Sequence, residues 1–275
     1  MPDANLPPEI VSPEAVSPDV REPTASSTRE VGRMFDRAAA RYDLLNALLS
    51  WGRDGAWRAA MAAFVGPGEK VLDLCCGSAR SVAPVARRTG RTVVGVDISA
   101  AMLAQGKRHG LDAGLRFAPV RADAFRLPFA DGTFDAVTIA WGLRNLRPES
   151  DALAEIQRVL RPGGTLVVLE SPSPEPGLLG LAHRLYLRAA VPTLGRLSSD
   201  PRAYAYLSST VLSYGTRREV TDRLERAGLR VLRTRWLFLG AAALWVSQKG
   251  GVPGALSGVQ DATPVHNSIA GTGAR

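Results

Sequence analysis

The sequence has few of the residues that mark disulfide frameworks and metal centres. Its 275 residues include only two cysteines and three histidines, and aromatic residues make up 6%. The cysteines, Cys75 and Cys76, are adjacent, which disfavours a disulfide between them, and no histidine stands near enough to complete a metal site. We therefore predict no metal site and interpret both cysteines as small buried residues in a reducing cytoplasm.

Long apolar runs and targeting signals are also missing. No stretch of about 18 apolar residues occurs, so no transmembrane helix is expected. The N-terminus is acidic and proline-rich and lacks the basic-then-apolar pattern of a secretory signal. The net charge of +8 comes from scattered arginines, without a helix-turn-helix, zinc-finger or aromatic-basic motif. We predict a cytoplasmic protein that does not bind nucleic acid, although a basic chain also suits an anionic membrane surface or a negatively charged ligand.

Composition divides the chain into one folded body and two tails. Residues 1–27 are rich in proline, serine and glutamate without apolar periodicity, and residues 250–275 have the same character. Both segments are predicted to be disordered. Residues 28–249 remain as a single domain with enough apolar residues for one large core.

Within that domain, apolar strands alternate with amphipathic helices, which predicts right-handed crossovers and a parallel sheet. The predicted strands are 70–75, 92–97, 116–121, 134–140 and 165–170, with helices at 31–47, 57–64, 81–89, 100–109 and 151–160. Two further helices are predicted at 178–190 and 217–227. Strands at 230–235 and 242–247 then form a closing antiparallel hairpin.

Small and acidic residues follow successive strands, where ligands bind in an open α/β sheet. A small-residue turn runs from Asp73 to Arg80, and Gly77 within it can take a positive φ angle. Asp97 ends the second strand at a position suited to ribose hydroxyls, and Asp123-Ala124 follows the third, where a carboxylate can receive an adenine amine. The dinucleotide fingerprint Gly-x-Gly-x-x-Gly is absent, which disfavours an oxidoreductase. We interpret this edge as a nucleoside site.

Three segments then resemble one family. Residues 41–52 (RYDLLNALLSWG) with Trp57, residues 142–145 (GLRN) and residues 158–170 (RVLRPGGTLVVLE) are similar to motifs of the demethylmenaquinone and ubiquinone C-methyltransferases, in family order. The resemblance implies a Rossmann-like class I methyltransferase, with a mostly parallel seven-stranded sheet, helices on both faces and an antiparallel last strand. It also implies S-adenosylmethionine as cofactor, contacted by Ser78, Asp97, Asp123 and Ala124. Asp73 and Gly77 would shape the pocket around its amino-acid end.

The implied reaction transfers a methyl group to a ring carbon of a lipophilic quinol, beside a hydroxyl. Arg144 is a poor proton acceptor, so we expect it to stabilise the phenolate or to orient a water that takes the proton. Asn145 and Tyr42 are candidate hydrogen-bond partners in catalysis. The alternative for Arg144 is a structural salt bridge with a carboxylate such as Asp43.

Some residues depart from the family pattern. Ala79 and Arg80 stand where the family has a glycine and an acidic residue, and Ala140 replaces a common hydroxyl. These changes keep open a methyltransferase for another lipophilic acceptor, or a non-catalytic protein that binds S-adenosylmethionine.

The helix from Leu178 to Arg188 also has two interpretations. It is either a lid that contacts the inner face of the membrane and admits an isoprenoid tail, or a plain helix packed on the sheet, which we favour.

Overall fold

The computed structural model describes residues 32–33, 35–36, 50–112, 114, 116–196 and 201–250. Almost all of both predicted tails, most of the predicted helix 31–47, and Tyr42 with Asp43 lie outside these residues. The division into two tails and a domain at 28–249 therefore stays a prediction.

Seven strands form one sheet in the order β3-β2-β1-β4-β5-β7-β6. Strands β1 to β5 are parallel, and β7 runs antiparallel to both of its neighbours. The predicted mostly parallel sheet and its antiparallel last strand are confirmed. The strands are β1 Val71–Leu74, β2 Val93–Asp97, β3 Phe117–Arg121, β4 Phe134–Ala140, β5 Leu160–Glu170, β6 Leu229–Leu237 and β7 Ala242–Lys249.

Helices cover both faces of the sheet, because the central strands alternate between two apolar clusters. In β5, Leu166 and Val168 pack in one cluster, whereas Val167 and Leu169 pack in the other. The helices are α1 Asp54–Ala62, α2 Val82–Thr89, α3 Ala100–Asp112, α4 Glu149–Val159, α5 Leu178–Leu185, α6 Val191–Arg196, α7 Pro201–Tyr214 and α8 Arg217–Arg226.

Most predicted elements form with bounds shifted by a few residues, and two differ more from the structure. Strand β5 begins at Leu160 rather than at residue 165, because Leu160 pairs with Phe134 across a register shift. The predicted helix 178–190 is divided into α5 and a π-helical turn, Tyr186–Ala190, that leads into α6.

The favoured interpretation of the 178–188 segment, a helix packed on the sheet, is wrong. Helix α5 has no buried residue, and Leu178, Leu181, Leu185 and Ala189 are exposed. The π-helical turn changes the helix phase by one residue. The segment packs buried side chains against the rest of the protein only after this turn begins, where Leu187 and Val191 contact Tyr204 and Val211 of α7.

Candidate functional site

The strand order changes direction between β1 and β4, so a crevice opens at the carboxyl ends of β1, β2 and β4. A first cavity occupies this crevice. Its lining includes most of the residues predicted from the sequence to bind a nucleoside: Gly77, Ser78, Asp97, Asp123 and Ala124. Asn145 and the apolar side chains of Ile98, Met102 and Leu146 also line it.

The turn after β1 is built from left-handed backbone. Cys75, Gly77 and Ala79 all have positive φ angles, at 54°, 54° and 63°. At Gly77 this geometry has no steric cost, whereas at Ala79 it is strained. Room for the Ala79 methyl comes from Gly106, since a Cβ atom there would lie 2.9 Å from the Ala79 Cβ. A glycine in α3 thus accommodates the alanine in the turn.

Asp97 fixes that turn from the end of β2. Its Oδ2 accepts the Gly77 N–H at 2.8 Å, and its Oδ1 accepts the Ser99 N–H at 2.9 Å. Burial raises the pKa of the Asp97 carboxyl, and these two hydrogen bonds oppose that rise. The carboxylate therefore organises the turn while it lines the cavity.

Asp123 and Asp73 have different surroundings. Asp123 lines the first cavity, and its Oδ1 accepts the Phe125 N–H at 3.1 Å. Asp73 lies behind the cavity lining, fully buried in β1, where it accepts a hydrogen bond from Thr138 at 2.7 Å. Burial raises the pKa of Asp73 to about 6, although the Thr138 hydrogen bond lowers it. Asp73 is therefore a buried residue of β1 and does not line the first cavity.

The two cysteines are interior residues at this turn. Cys76 is buried and Cys75 half-buried, and both line the first cavity. Burial raises the pKa of each thiol well above its usual range. Neither thiol has the thiolate character that a nucleophile requires.

A second cavity of about 370 Å³ lies beside the first. Most of its lining is apolar or aromatic, with Trp51, Trp57, Tyr186, Leu187 and Phe238 among the side chains. The lining also includes residues with polar side chains: Ser50, Asp54, Arg144, Ser171 and His183. Burial lowers the pKa of His183, so the imidazole is neutral near pH 7. This cavity suits a large, mainly apolar molecule.

Trp141 separates the two cavities and lines both. Its backbone is left-handed, with φ of 63°, and its indole N–H donates to Asp54 Oδ1 at 2.8 Å. Asp54 is buried in an ion pair with Arg58 at 2.9 Å, and Arg80 lies 3.3 Å from the same carboxylate. Arg80, which departs from the family pattern, therefore pairs with a carboxylate of this chain.

Arg144 and Asn145 follow Trp141 in a short 3-10 turn and point to different cavities. Arg144 lines the second cavity, and its Nη1 lies 2.6 Å from Glu170 Oε1 at the end of β5. Asn145 lines the first cavity and accepts a hydrogen bond from the Tyr206 hydroxyl at 3.1 Å. The buried salt bridge considered for Arg144 exists, and its carboxylate comes from Glu170.

Sequence reasoning missed Asp54, Glu170, His183 and Tyr206 as members of the site. Asp54 and Arg58 stand four residues apart on α1, a spacing that signals an ion pair on a helix. Glu170 ends a strand, like Asp97, and could have been found by the same argument. His183 and Tyr206 belong to α5 and α7, whose positions no local pattern specifies.

Comparison with known proteins adds a family match. A model of the ubiE/COQ5 methyltransferase family matches residues 23–249. A demethylmenaquinone methyltransferase from Mycobacterium marinum is 43% identical over 224 residues, which cover 80% of this chain and 94% of that protein.

Solved structures share the fold at low sequence identity. The [4+2]-cyclase SpnF aligns with 83% of this chain and 98% of its own, with a TM-score of 0.61 and 20% identity. A SAM-dependent methyltransferase from Aquifex aeolicus aligns with 75% of this chain and 97% of its own, with a TM-score of 0.55 and 18% identity. These likenesses support the class I methyltransferase fold.

Proposed function

This chain belongs to the ubiE/COQ5 methyltransferase family, and from that premise we propose that it methylates a ring carbon of a reduced isoprenoid quinone precursor. The resemblance inferred from the three sequence motifs is confirmed. The protein is an S-adenosylmethionine-dependent methyltransferase. Its proposed acceptor is demethylmenaquinol, the substrate type that the name of its Mycobacterium marinum relative indicates, with a demethyl ubiquinol precursor as the wider family alternative.

The observation that supports this proposal most strongly is that two cavities of different chemistry meet at one short segment, residues 141–145. The first has carboxylates at strand ends and a glycine turn, and the second is large and mainly apolar. Trp141 forms the wall between them, and Asn145 and Arg144 face one cavity each. A methyl group can pass between two bound molecules only where their sites touch.

The residues of the first cavity fit S-adenosylmethionine. Asp97 offers carboxylate oxygens for the ribose hydroxyls, and Asp123 offers an acceptor for the adenine amine. The Ile98, Met102 and Leu146 side chains supply apolar surface for the adenine ring. The left-handed turn at Gly77 brings main-chain atoms close to the amino-acid end of the cofactor.

The proposed chemistry needs a charge-stabilised phenolate beside the methyl donor. S-adenosylmethionine, when bound, supplies a methyl group on a sulfonium, which departs as a neutral thioether. The acceptor hydroxyl loses its proton, a carbon–carbon bond forms at the adjacent ring position, and that ring carbon then releases its hydrogen as a proton. Arg144 stabilises the phenolate oxygen or orients the water that takes the proton. Glu170 holds the Arg144 guanidinium in place.

The apolar second cavity is consistent with a lipophilic acceptor, which resides in a membrane. We therefore propose a cytoplasmic enzyme with peripheral contact at the inner face of the membrane. Among the described residues, no helix is both long and apolar enough to cross a bilayer.

The structure accommodates both residues that depart from the family pattern in the turn after β1, Ala79 and Arg80. Gly106 leaves room for Ala79, and Asp54 pairs with Arg80. Both observations support a working cofactor site over a non-catalytic paralogue.

The test is calorimetric titration with S-adenosylmethionine, followed by transfer of a labelled methyl group to reduced demethylmenaquinol. Binding with transfer is the expected result. Binding without transfer would redirect the assignment to another lipophilic acceptor. Failure to bind would contradict the cofactor assignment.

A further inference from the structure

Helix α5 is apolar on two sides, which is unusual for a helix at a protein surface. At about 100° per residue, Leu179, Ala182, His183 and Tyr186 fall on one side, and all four line the second cavity. Leu178, Leu181 and Leu185 fall on another side and face solvent. Only the first side has a role within the described part of the chain.

The exposed side is strongly apolar. Leu178 is 83% exposed, and Leu181 and Leu185 are about half exposed. Trp51 and Leu239, at 66% and 75%, are exposed at the second cavity, as is Leu179. We call these six residues the apolar rim: Trp51, Leu178, Leu179, Leu181, Leu185 and Leu239. Several large apolar side chains exposed at and beside a cavity mouth indicate an interaction site.

Backbone strain holds part of the apolar rim outward. In the 3-10 turn Phe238–Gly240, Phe238 and Leu239 have φ angles of 41° and 55°. Both residues line the second cavity, and the Leu239 side chain is largely exposed to solvent. Bulky side chains in this conformation cost free energy, so the fold maintains an exposed leucine at a conformational cost.

Positive charge accompanies the apolar rim. The Arg53 guanidinium lies 4.5 Å from the centre of the Phe238 ring, and Trp51 packs 6.4 Å from the same ring. On α5, Arg184 lies beside the leucine side and donates to Pro174 O, and Arg188 in the following turn is exposed. Leucines and a tryptophan can enter the headgroup boundary of a bilayer, and the arginines around them attract anionic lipid headgroups.

We propose that the apolar rim inserts into the headgroup boundary of an anionic phospholipid bilayer and opens the second cavity directly to the lipid. The isoprenoid tail of an acceptor can then stay in the bilayer while its ring enters the cavity. Exposure and charge of the apolar rim support the bilayer contact by themselves, and only the passage of the acceptor rests on the proposed function.

The test is co-sedimentation of the full chain with vesicles of phosphatidylglycerol and phosphatidylcholine. The main variant is Leu178→Gln/Leu181→Gln/Leu185→Gln, since none of these side chains lines the first or the second cavity. We expect it to bind vesicles at least about tenfold more weakly, to keep its melting temperature, and to methylate a short-chain, water-soluble quinol at the parent rate. Its rate with demethylmenaquinol in vesicles should fall in parallel with binding.

A second test compares two variants that each remove two positive charges, one near the apolar rim and one, as the matched control, far from it. Arg53→Gln/Arg188→Gln removes two charges near the apolar rim, whereas Arg87→Gln/Arg91→Gln removes two exposed charges before β2, at the opposite end of the sheet. Only the first should weaken binding to phosphatidylglycerol vesicles, by severalfold per charge.

Three results would overturn the inference. Unchanged vesicle binding by the leucine variant would place the membrane contact elsewhere. A lower melting temperature of the leucine variant would mean that the leucines pack within the chain. If light scattering shows a dimer of the parent and a monomer of the leucine variant, the apolar rim would be a contact between two copies of this chain. In each case, methylation of the soluble quinol still tests the proposed function separately.

Discussion

The Arg144 guanidinium and the Glu170 carboxylate form a buried ion pair at 2.6 Å, at the wall of the second cavity. Glu170 Oε2 also accepts the Arg144 backbone N–H at 3.2 Å, and Arg144 Nη1 donates to Trp141 O at 2.9 Å. The arginine is therefore held at both its backbone and its side chain. This geometry fixes where positive charge meets a bound acceptor.

Replacing Arg144 should affect folding and turnover together. Arg144→Ala leaves Glu170 buried without a cation, and we expect the free energy of unfolding to fall by about 3–5 kcal/mol. Arg144→Lys keeps the charge but cannot reproduce the planar fork, so it should lose less stability and still lose turnover. Chemical denaturation and kcat measure the two effects. Full turnover by Arg144→Lys would limit Arg144 to a structural role.

Asp97→Asn should weaken S-adenosylmethionine binding by roughly tenfold or more, because a charged acceptor for the ribose hydroxyls becomes neutral. Asparagine is preferred to alanine because its oxygen can still accept one of the backbone N–H groups of Gly77 and Ser99. Calorimetry measures the dissociation constant. Asp131→Asn, at an exposed carboxylate, is the control and should bind as the parent does. Equal affinity of both variants would remove Asp97 from the cofactor site.

Ala79→Gly should raise stability slightly. Relief of the left-handed backbone at a non-glycine residue should raise the free energy of unfolding by about 1–2 kcal/mol. Loss of the buried methyl group should lower it by about 0.8 kcal/mol. The net gain is therefore about 1 kcal/mol or less. Ala59→Gly, at an exposed position within α1, should lose about 1 kcal/mol under the same thermal melt. A loss at both positions would mean that the turn is not strained.

Asp73 should give stability a distinct pH dependence. Its pKa rises from 3.8 to about 6 on folding, because burial disfavours the charged form. The folded state then binds more protons than the unfolded state between about pH 4 and 6, so this contribution is fully present below pH 4 and is lost as pH rises through 6. Its size is on the order of 3 kcal/mol.

Asp73→Asn removes that titration. We expect the difference in unfolding free energy between the variant and the parent to shift in favour of the variant as pH rises from 4 to 7. Denaturant titrations at several pH values measure it, and the difference cancels contributions from other carboxyls. A constant difference across this range would contradict the raised pKa.

Much of the sheet could be predicted because its signals are local. Strand β4 was predicted at 134–140 and forms there, since a run of buried apolar residues suits a central parallel strand. Helix α7 was missed. Its sequence contains tyrosines, serines and threonine of modest helix propensity, and packing of Tyr204 and Val211 on α6 stabilises it instead.

The predicted nucleoside site could be found for a similar reason. In a parallel sheet, residues that follow neighbouring strands meet at one edge, so Gly77, Asp97 and Asp123 converge on the first cavity. The second cavity could not be predicted in this way, because Asp54, Trp141 and His183 come from three elements with no fixed spacing.

The strand alternation, the small-residue turn and the family motifs could be identified from the sequence, because each depends on neighbours along the chain. The folded structure was needed to show that Glu170 pairs with Arg144, that Gly106 makes room for Ala79, and that the α5 leucines face outward. Those relationships depend on how distant segments pack. The free energy of each contact is set by burial and geometry that exist only after the chain has folded.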